Sequence, residues 1–186
     1  MDQPLDQTLR KSENHALNME TLVLSSGASV QVSKYAARFR AWTGMPVADS
    51  YGGKAVLDWQ GQPVFAELAI LYSLREEGFE GVWVDGYSHR FRVSLSEDQQ
   101  PPAHVRELLD KIVQENDGKR QGCWDVLAWK DSRYVFAESK RKGKDRIRKT
   151  QVRWLEAALR AGVPLQCFCI CEWEIEGPPP PSARQR

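Results

Sequence analysis

The 186-residue chain contains no apolar run as long as the roughly 18 residues that a membrane-spanning helix needs. Residues 1–20 are polar and lack the apolar stretch of a secretory signal. These two absences predict a cytoplasmic protein without a membrane partner. Apolar residues make up 41% of the chain and charged residues 27%, a composition typical of an ordinary folded domain.

Cysteine and histidine are scarce, with four and three residues respectively. The cysteines do not form the C-x-x-C pairs of structural zinc sites. Three of them alternate along one predicted strand, at Cys167, Cys169 and Cys171, so we interpret them as small buried core residues. His89 and His104 lie in no recognisable catalytic motif, so a Ser-His-Asp triad is not indicated.

A net charge of only +1 gives no general indication of a nucleic-acid partner. The distribution of charge is more informative, because the segment Glu138–Arg160 holds nine lysines or arginines against three acidic residues. A concentrated basic segment in a near-neutral chain indicates an anionic partner at that segment. The alternative is a solvated loop and helix face, which is the commoner origin of charge runs.

Apolar periodicity and turn residues predict an α/β chain. The predicted helices cover 34–42, 64–77, 105–115 and 148–161, and the predicted strands cover 22–24, 29–32, 54–59, 81–84, 89–95, 123–129, 134–140 and 165–173. The predicted organisation is a flexible lead at 1–20, an extension packed on the core at 21–62, a main domain at 63–175 with an insertion at about 85–121, and a disordered Pro-rich tail at 176–186.

Two acidic residues are expected to meet across one predicted hairpin. If Asp131 and Ser132 form the turn, counting back along both strands places Asp125 opposite Glu138. Directly opposed residues have Cβ atoms about 5 Å apart and face the same side of the sheet. Lys140, two residues beyond Glu138, is then on that side as well.

Carboxylates this close repel each other when both are ionised, so a divalent cation between them is the simplest reason to retain both. The alternative is a pair of exposed strand acids with Lys140 as an ion-pair partner. Asp125 and Glu138 are embedded in apolar strand segments, which favours a buried site at one end of the sheet.

The ordered set of Asp125 in WDVL, Glu138 and Lys140 in VFAESK, and Gln151 in QVRWL resembles the virus-type replication-repair nuclease (VRR-NUC) domain of the PD-(D/E)XK superfamily. The resemblance covers roughly residues 122–173. It implies a restriction-endonuclease-like core, a mixed central sheet flanked by helices, here with an N-terminal β-rich extension. In such a core one helix precedes the acidic hairpin and another follows it.

The resemblance also implies a site. Asp125, Glu138 and the Ser139 backbone carbonyl would bind Mg²⁺ or Mn²⁺, and Lys140 would be the catalytic lysine. Gln151 would lie near the metal, and Glu67 on the leading helix would complete the catalytic and metal-binding set. The alternative is that Glu67 and Gln151 are ordinary helix-surface residues. The basic residues that follow the site are expected to contact phosphates: Arg141, Lys142, Lys144, Arg146, Arg148 and Lys149.

These features predict a metal-dependent DNA endonuclease that hydrolyses phosphodiester bonds in repair, recombination or phage-related processes. DNA is the expected partner ahead of RNA, and a homodimer is compatible with the resemblance although no residue identifies an interface. Two alternatives stay open. One is a non-catalytic module that binds nucleic acid or protein on a nuclease fold. The other is a chain with structural acids and an RNA-binding basic loop.

Overall fold

The computed structural model describes residues 18–176, which form nine strands and three helices. In chain order they are β1 (Asn18–Val23), β2 (Ser29–Ala41), β3 (Leu57–Trp59), β4 (Gln62–Val64), α1 (Ala66–Glu76), β5 (Glu80–Asp85), β6 (Arg90–Arg92), α2 (Ala103–Glu115), β7 (Val126–Lys130), β8 (Arg133–Arg141), α3 (Lys149–Arg160) and β9 (Phe168–Ile175). A 3₁₀ turn at Leu165–Cys167 leads into β9. The predicted lead at 1–20 and tail at 176–186 fall almost wholly outside the described residues.

The strands form one mixed sheet in the order β4-β3-β2-β9-β8-β7-β5-β6, with β1 also paired to β2. Strand β9 runs parallel to both of its neighbours, β2 and β8. The remaining pairs are antiparallel. The predicted α/β class with a mixed central sheet is confirmed.

Helices cover both faces of this sheet. Successive side chains along its central strands point into two different cores, one on each face. Val126 and Ala128 of β7 join the core beneath α1, whereas Leu127 and Trp129 join the core beneath α2 and α3. A strand buried on both faces reads as a continuous apolar run. Residues near the ends of these central strands are therefore held between two packed layers.

Helix α1 is apolar around most of its circumference and is correspondingly buried. It ends where Gly78 adopts a left-handed φ of +82°. The Gly78 and Phe79 amides then donate to the Arg75 and Leu74 carbonyls, at 2.9 and 3.1 Å. This is the Schellman arrangement, in which glycine satisfies the last helical carbonyls without a Cβ penalty.

The helix predicted at 34–42 is wrong, because β2 continues as a strand through Ala41. Two ion pairs to β9 accompany its parallel pairing: Lys34 with Glu172 at 3.0 Å and Arg38 with Glu174 at 3.1 Å. Tyr35 and Phe39, on alternate positions, pack against the α1-side core. Cross-strand partners distant in sequence thus override a locally helical pattern.

Several predicted boundaries also need correction. The segment expected to open a helix at Pro63 is instead strand β4, and α1 begins only at Ala66. Proline is tolerated there because β4 lies at the end of the sheet. The strand predicted at 54–59 starts only at Leu57, and the one predicted at 89–95 covers only Arg90–Arg92.

The four cysteines are all free thiols. Cys169 and Cys171 share the α1-side face of β9 and are buried in that core. The prediction that Cys167 lies on the same strand is wrong, because it belongs to the 3₁₀ turn that precedes β9. No helix within residues 18–176 is both long and apolar enough to cross a membrane.

Candidate active site

The β7–β8 hairpin has the register that the sequence predicts, with Lys130 opposite Arg133 and Val126 opposite Ala137. One step further, beyond the paired part of β7, the Asp125 amide donates to Glu138 Oε2 at 3.2 Å. The Ser139 amide donates in return to Asp125 Oδ2 at 3.0 Å. The hairpin therefore brings the two acidic side chains together at its open end.

Glu138 is buried and Asp125 is half-buried, and the pKa of each carboxyl is raised. Burial is the main cause for Asp125, followed by the charges of Glu138 and then of Glu67. Burial also dominates for Glu138, and the Lys140 ammonium partly offsets it. The raised pKa of Asp125 reflects the cost of ionising this carboxyl out of water and close to the Glu138 carboxylate.

Lys140 and Gln151 extend the carboxyl pair into a network. Lys140 Nζ donates to Glu138 Oε1 at 2.8 Å and to Gln151 Oε1 at 3.2 Å, and its side chain is 9% exposed. The Gln151 amide nitrogen donates to the same Glu138 oxygen. Gln151 is therefore part of the site, because its side chain bonds both the lysine and the glutamate.

Ser139 lies between the two charged residues of β8 and faces the opposite side of the strand. Its hydroxyl accepts from the Trp173 indole at 3.0 Å, which ties β8 to β9 beside the site. Serine at this position therefore has a local partner that an aliphatic residue would lack. This bond fixes the backbone that carries the Ser139 amide to Asp125.

Glu67, in the first turn of α1, is buried, but it is paired with Lys54 rather than with the carboxyl pair. Lys54 Nζ lies 2.5 Å from Glu67 Oε1. Glu67 is nevertheless close enough for its charge to raise the pKa of Asp125. The structure therefore brings Glu67 to the edge of the site. Its charge is neutralised by Lys54, a residue that the sequence did not indicate.

The start of α3 is held against the site by the loop that precedes β7. Gly122 adopts φ +90°, and a Cβ added there would lie 2.1 Å from the Thr150 carbonyl oxygen. The Trp124 indole donates to the Gln151 carbonyl at 3.2 Å. The Arg148 amide donates to Gln151 Oε1 at 2.8 Å, so the same side chain caps the helix and contacts Lys140.

A cleft of about 1410 Å³ opens beside Asp125 and Gln151. Three acidic residues line it, Asp49, Asp85 and Asp125, against six basic ones: Lys54, Arg90, Arg92, Lys119, Arg120 and Arg148. The basic residues come from four separate segments of the chain. A cleft lined mainly by one sign of charge concentrates ligands of the opposite sign.

The predicted phosphate-contacting segment divides into three groups. Only Arg148 lines the cleft. Arg141 stacks over the Trp173 ring at 5.4 Å, and Lys142 pairs with Glu174 at 3.1 Å, so both are engaged by β9. The others are exposed and form no ion pair with any residue in 18–176: Lys144, Arg146 and Lys149.

Several cleft residues were not predicted from the sequence. Lys54 could not have been, because nothing local distinguishes it from any loop lysine. The sequence contains only a weak indication that Gly122 lies at the site, since this glycine follows a polar loop and closely precedes Asp125. Arg92 is buried in the cleft wall against the Tyr51 and Trp83 rings, at 5.5 and 5.6 Å. The position of Arg92 in the wall depends on the pairing of β5 with β6, which local sequence patterns do not specify.

The oxygen atoms of the site are hard donors of the kind that a divalent cation prefers. Within the described part of the chain, no group of three or more His, Cys, Asp or Glu side chains is arranged to hold a metal. Asp125 and Glu138 nevertheless form an adjacent pair of hard oxygen donors. Mg²⁺ commonly uses one or two carboxylates and completes its shell with waters and substrate phosphates. The residues present therefore fit a two-carboxylate site, with Glu67 at its edge in an ion pair with Lys54.

Comparisons with protein-family models, with curated proteins and with solved structures find no match for this chain.

Proposed function

We propose that the chain is a Mg²⁺- or Mn²⁺-dependent nuclease that hydrolyses phosphodiester bonds in DNA. One observation carries the proposal. Asp125 and Glu138 meet as a carboxyl pair, Lys140 and Gln151 bond directly to Glu138, and the group borders a cleft whose charged lining residues are mainly basic. Two acids, a lysine and an anion-attracting cleft are the parts that phosphodiester hydrolysis requires.

The order of elements around the site supports the same proposal. Helix α1 precedes strand β5 and the β7–β8 hairpin, the hairpin carries the acids, and α3 follows and contacts Glu138 through Gln151. This is the order expected of a PD-(D/E)XK core of the VRR-NUC type. Strand β9 then runs parallel to β8, which closes the unit around α3.

Each of the four site residues has a defined part in this proposal. Asp125 and Glu138 hold Mg²⁺ or Mn²⁺, which when bound supplies a Lewis acid and lowers the pKa of an attached water. Lys140, held by Glu138 and Gln151, orients the attacking water and donates to the negative charge that develops on the phosphate. Gln151 positions Lys140 and Glu138 relative to each other.

Glu67 has a supporting part. Its pair with Lys54 keeps a carboxylate near Asp125 without adding a third ligand to the pair. In this arrangement Glu67 orients a water at the edge of the site. Glu67→Gln is expected to lower the cleavage rate while leaving the Mn²⁺-dependent rise in melting temperature intact.

The direct test uses purified protein with Mn²⁺ or Mg²⁺ on branched, flapped and linear DNA, beside the Asp125→Ala variant. We expect the wild-type protein to cleave at least one of these substrates and the variant to cleave none. Equal behaviour of the two proteins on every substrate would contradict the proposal.

The rival function is a non-catalytic module that binds nucleic acid or protein on the same fold. It differs in its response to metal, because such a module has no reason to bind Mn²⁺ through Asp125. Metal at 100 times its Kd stabilises a single-site protein by about 2.7 kcal/mol, or about 5–10 °C for a chain of this length. A nuclease should show this rise only when Asp125 is present, and a pure binder should not show it at all.

A further inference from the structure

The insertion between β5 and β7 contributes both of its ends to the cleft. Its first end is the β5–β6 turn, residues 86–89, and its last is the loop at Lys119–Gln121. It follows directly on the strand beside the site, because the Val84 amide donates to the Asp125 carbonyl at 2.7 Å. The insertion therefore forms part of the cleft wall, close to the carboxyl pair.

Tyr87, in this turn, is 90% exposed, which makes it the most exposed large hydrophobic residue among those described. Its ring therefore packs against almost nothing, although it lines the cleft. Single exposed apolar residues are common on protein surfaces, so exposure alone would carry no weight. The surroundings of Tyr87 provide the additional evidence.

The turn that carries Tyr87 is anchored by a buried carboxylate. Asp85 is 3% exposed. Its Oδ1 accepts from the Tyr87 amide at 3.0 Å and from the Ser88 amide at 3.2 Å, and its Oδ2 accepts from the Ser88 hydroxyl at 2.5 Å. Three bonds to one buried group hold the backbone of the turn, so the exposed ring is presented from a preorganised position.

Cations line the same cleft as the exposed ring. Arg90 follows three residues later and pairs with Asp98 at 3.6 Å, and Lys119 and Arg120 come from the other end of the insertion, where Arg120 pairs with Asp110 at 3.4 Å. An aromatic face beside cations in a basic cleft is the arrangement that binds single-stranded nucleic acid, by stacking a base and contacting its phosphates. A protein or lipid partner would not require this combination in the same cleft as the carboxyl pair.

The distance to the site suits a strand that reaches both places. Three residues span at most roughly 11 Å, so the Tyr87 backbone lies within that distance of Val84, which bonds Asp125. Stacked nucleotides follow one another at about 3.4 Å along one strand of a duplex, so at most about three or four nucleotides cover this length. A base stacked on Tyr87 would belong to the strand whose phosphate lies at the carboxyl pair.

The geometry points to Tyr87 as a stacking platform for an unpaired base, with Arg90 contacting the same strand. This inference rests on the proposed function for its placement of the nucleic acid in the cleft. It names the substrate class more narrowly: DNA with unpaired nucleotides a few positions from the cleaved bond. Tyr87 is a binding residue in this account and takes no part in the chemistry.

Binding measured in a chelator, at one fixed salt concentration, tests the inference without cleavage. The probes are a single-stranded oligonucleotide and a fully paired duplex of the same sequence, followed by fluorescence anisotropy. Tyr87→Ala is expected to weaken single-strand binding by about 5- to 100-fold and duplex binding by less than about twofold, given the usual contribution of one stacked base. Tyr87→Phe keeps the ring and should bind as the wild type does.

The matched control is Met45→Ala. Met45 is 83% exposed and does not line the cleft, so its removal should change neither affinity. Unchanged single-strand binding by Tyr87→Ala, equal losses on both probes, or no single-strand binding by the wild type would each overturn the inference. Cleavage with Mn²⁺ is recorded separately: its absence would contradict the nuclease proposal and leave the comparison of Tyr87 variants valid.

Discussion

Asp125 and Glu138 are joined by a hydrogen bond from the backbone of one to the carboxylate of the other. The Asp125 amide donates to Glu138 Oε2, and the Ser139 amide next to Glu138 donates back to Asp125 Oδ2. Two acids in this relation, one buried and one half-buried, are unfavourable unless a proton or a cation lies between them. Under the proposed function, the metal-free chain therefore loses some stability for the sake of a site that binds a cation.

Removing one charge of the pair should stabilise the metal-free protein. Asp125→Asn keeps the shape of the side chain and ends the repulsion from Glu138. We expect the melting temperature in chelator to rise by about 1–8 °C, from the roughly 0.5–2 kcal/mol typical of relieving a functional site. The control is Asp131→Asn, at the closed end of the same hairpin, where the exposed residue has φ +55° and asparagine is tolerated. A loss of stability in Asp125→Asn alone would contradict this prediction.

The pH dependence of the metal-free protein follows from the same pair. The pKa of Asp125 is raised above its usual 3.8, and that of Glu138 is raised as well. Above pH 3.8 and up to the folded-state value, the folded protein binds more protons than the unfolded one, so the free energy of unfolding falls as pH rises. Melting curves across this range in chelator should show the decline, and Asp125→Asn should reduce it. A stability that rises through the same range because of Asp125 would show that the sign is wrong.

Gln151 should matter for activity more than for folding. Its side chain bonds Lys140, Glu138 and the Arg148 amide together, so Gln151→Ala leaves the lysine and the glutamate without their common partner. Loss of such a supporting residue typically lowers activity or metal affinity by about 10- to 100-fold. Gln62→Ala, an exposed glutamine on β4, is the control. Cleavage by Gln151→Ala at the wild-type rate would remove this residue from the site.

The close contact at Gly122 should be necessary for the position of α3. Gly122→Ala would bring a Cβ against the Thr150 carbonyl, whereas Gly118→Ala, in the same loop with φ +73°, meets nothing within 4 Å. Both changes carry the strain of a left-handed residue, but only the first also carries a clash. Denaturant unfolding should show Gly122→Ala as the less stable variant by about 1–3 kcal/mol. Equal destabilisation of the two would contradict the close packing of loop and helix.

The sequence predicts the acidic pair well because a two-residue hairpin turn determines the register of both strands. The alternation of residues then places Lys140 on the same side. Gln151 was predicted only by resemblance, and its bonds to Lys140 and Glu138 depend on how α3 packs. Lys54 could not be predicted, since its contact with Glu67 depends on the fold around α1.

The error at 34–42 has a related cause. Helical and extended patterns are hard to distinguish over a segment as short as 34–42, six of whose nine residues are apolar or aromatic. The segment is a strand because it pairs with β9, which lies more than 130 residues later in the chain. Two glutamates of β9 form ion pairs with Lys34 and Arg38. Local signals identified the acidic hairpin because its partners are adjacent in sequence, and they failed where the partner strand is remote.

The most direct measurement of the central claim is cleavage of branched, flapped and linear DNA by four proteins under identical Mn²⁺ conditions. The four are the wild type, Asp125→Asn, Glu138→Gln and the Asp131→Asn control. The account predicts phosphodiester hydrolysis by the wild type and by Asp131→Asn, with the other two reduced to background. Cleavage that persists in Asp125→Asn and Glu138→Gln, or is absent from all four on every branched, flapped and linear substrate, would contradict it.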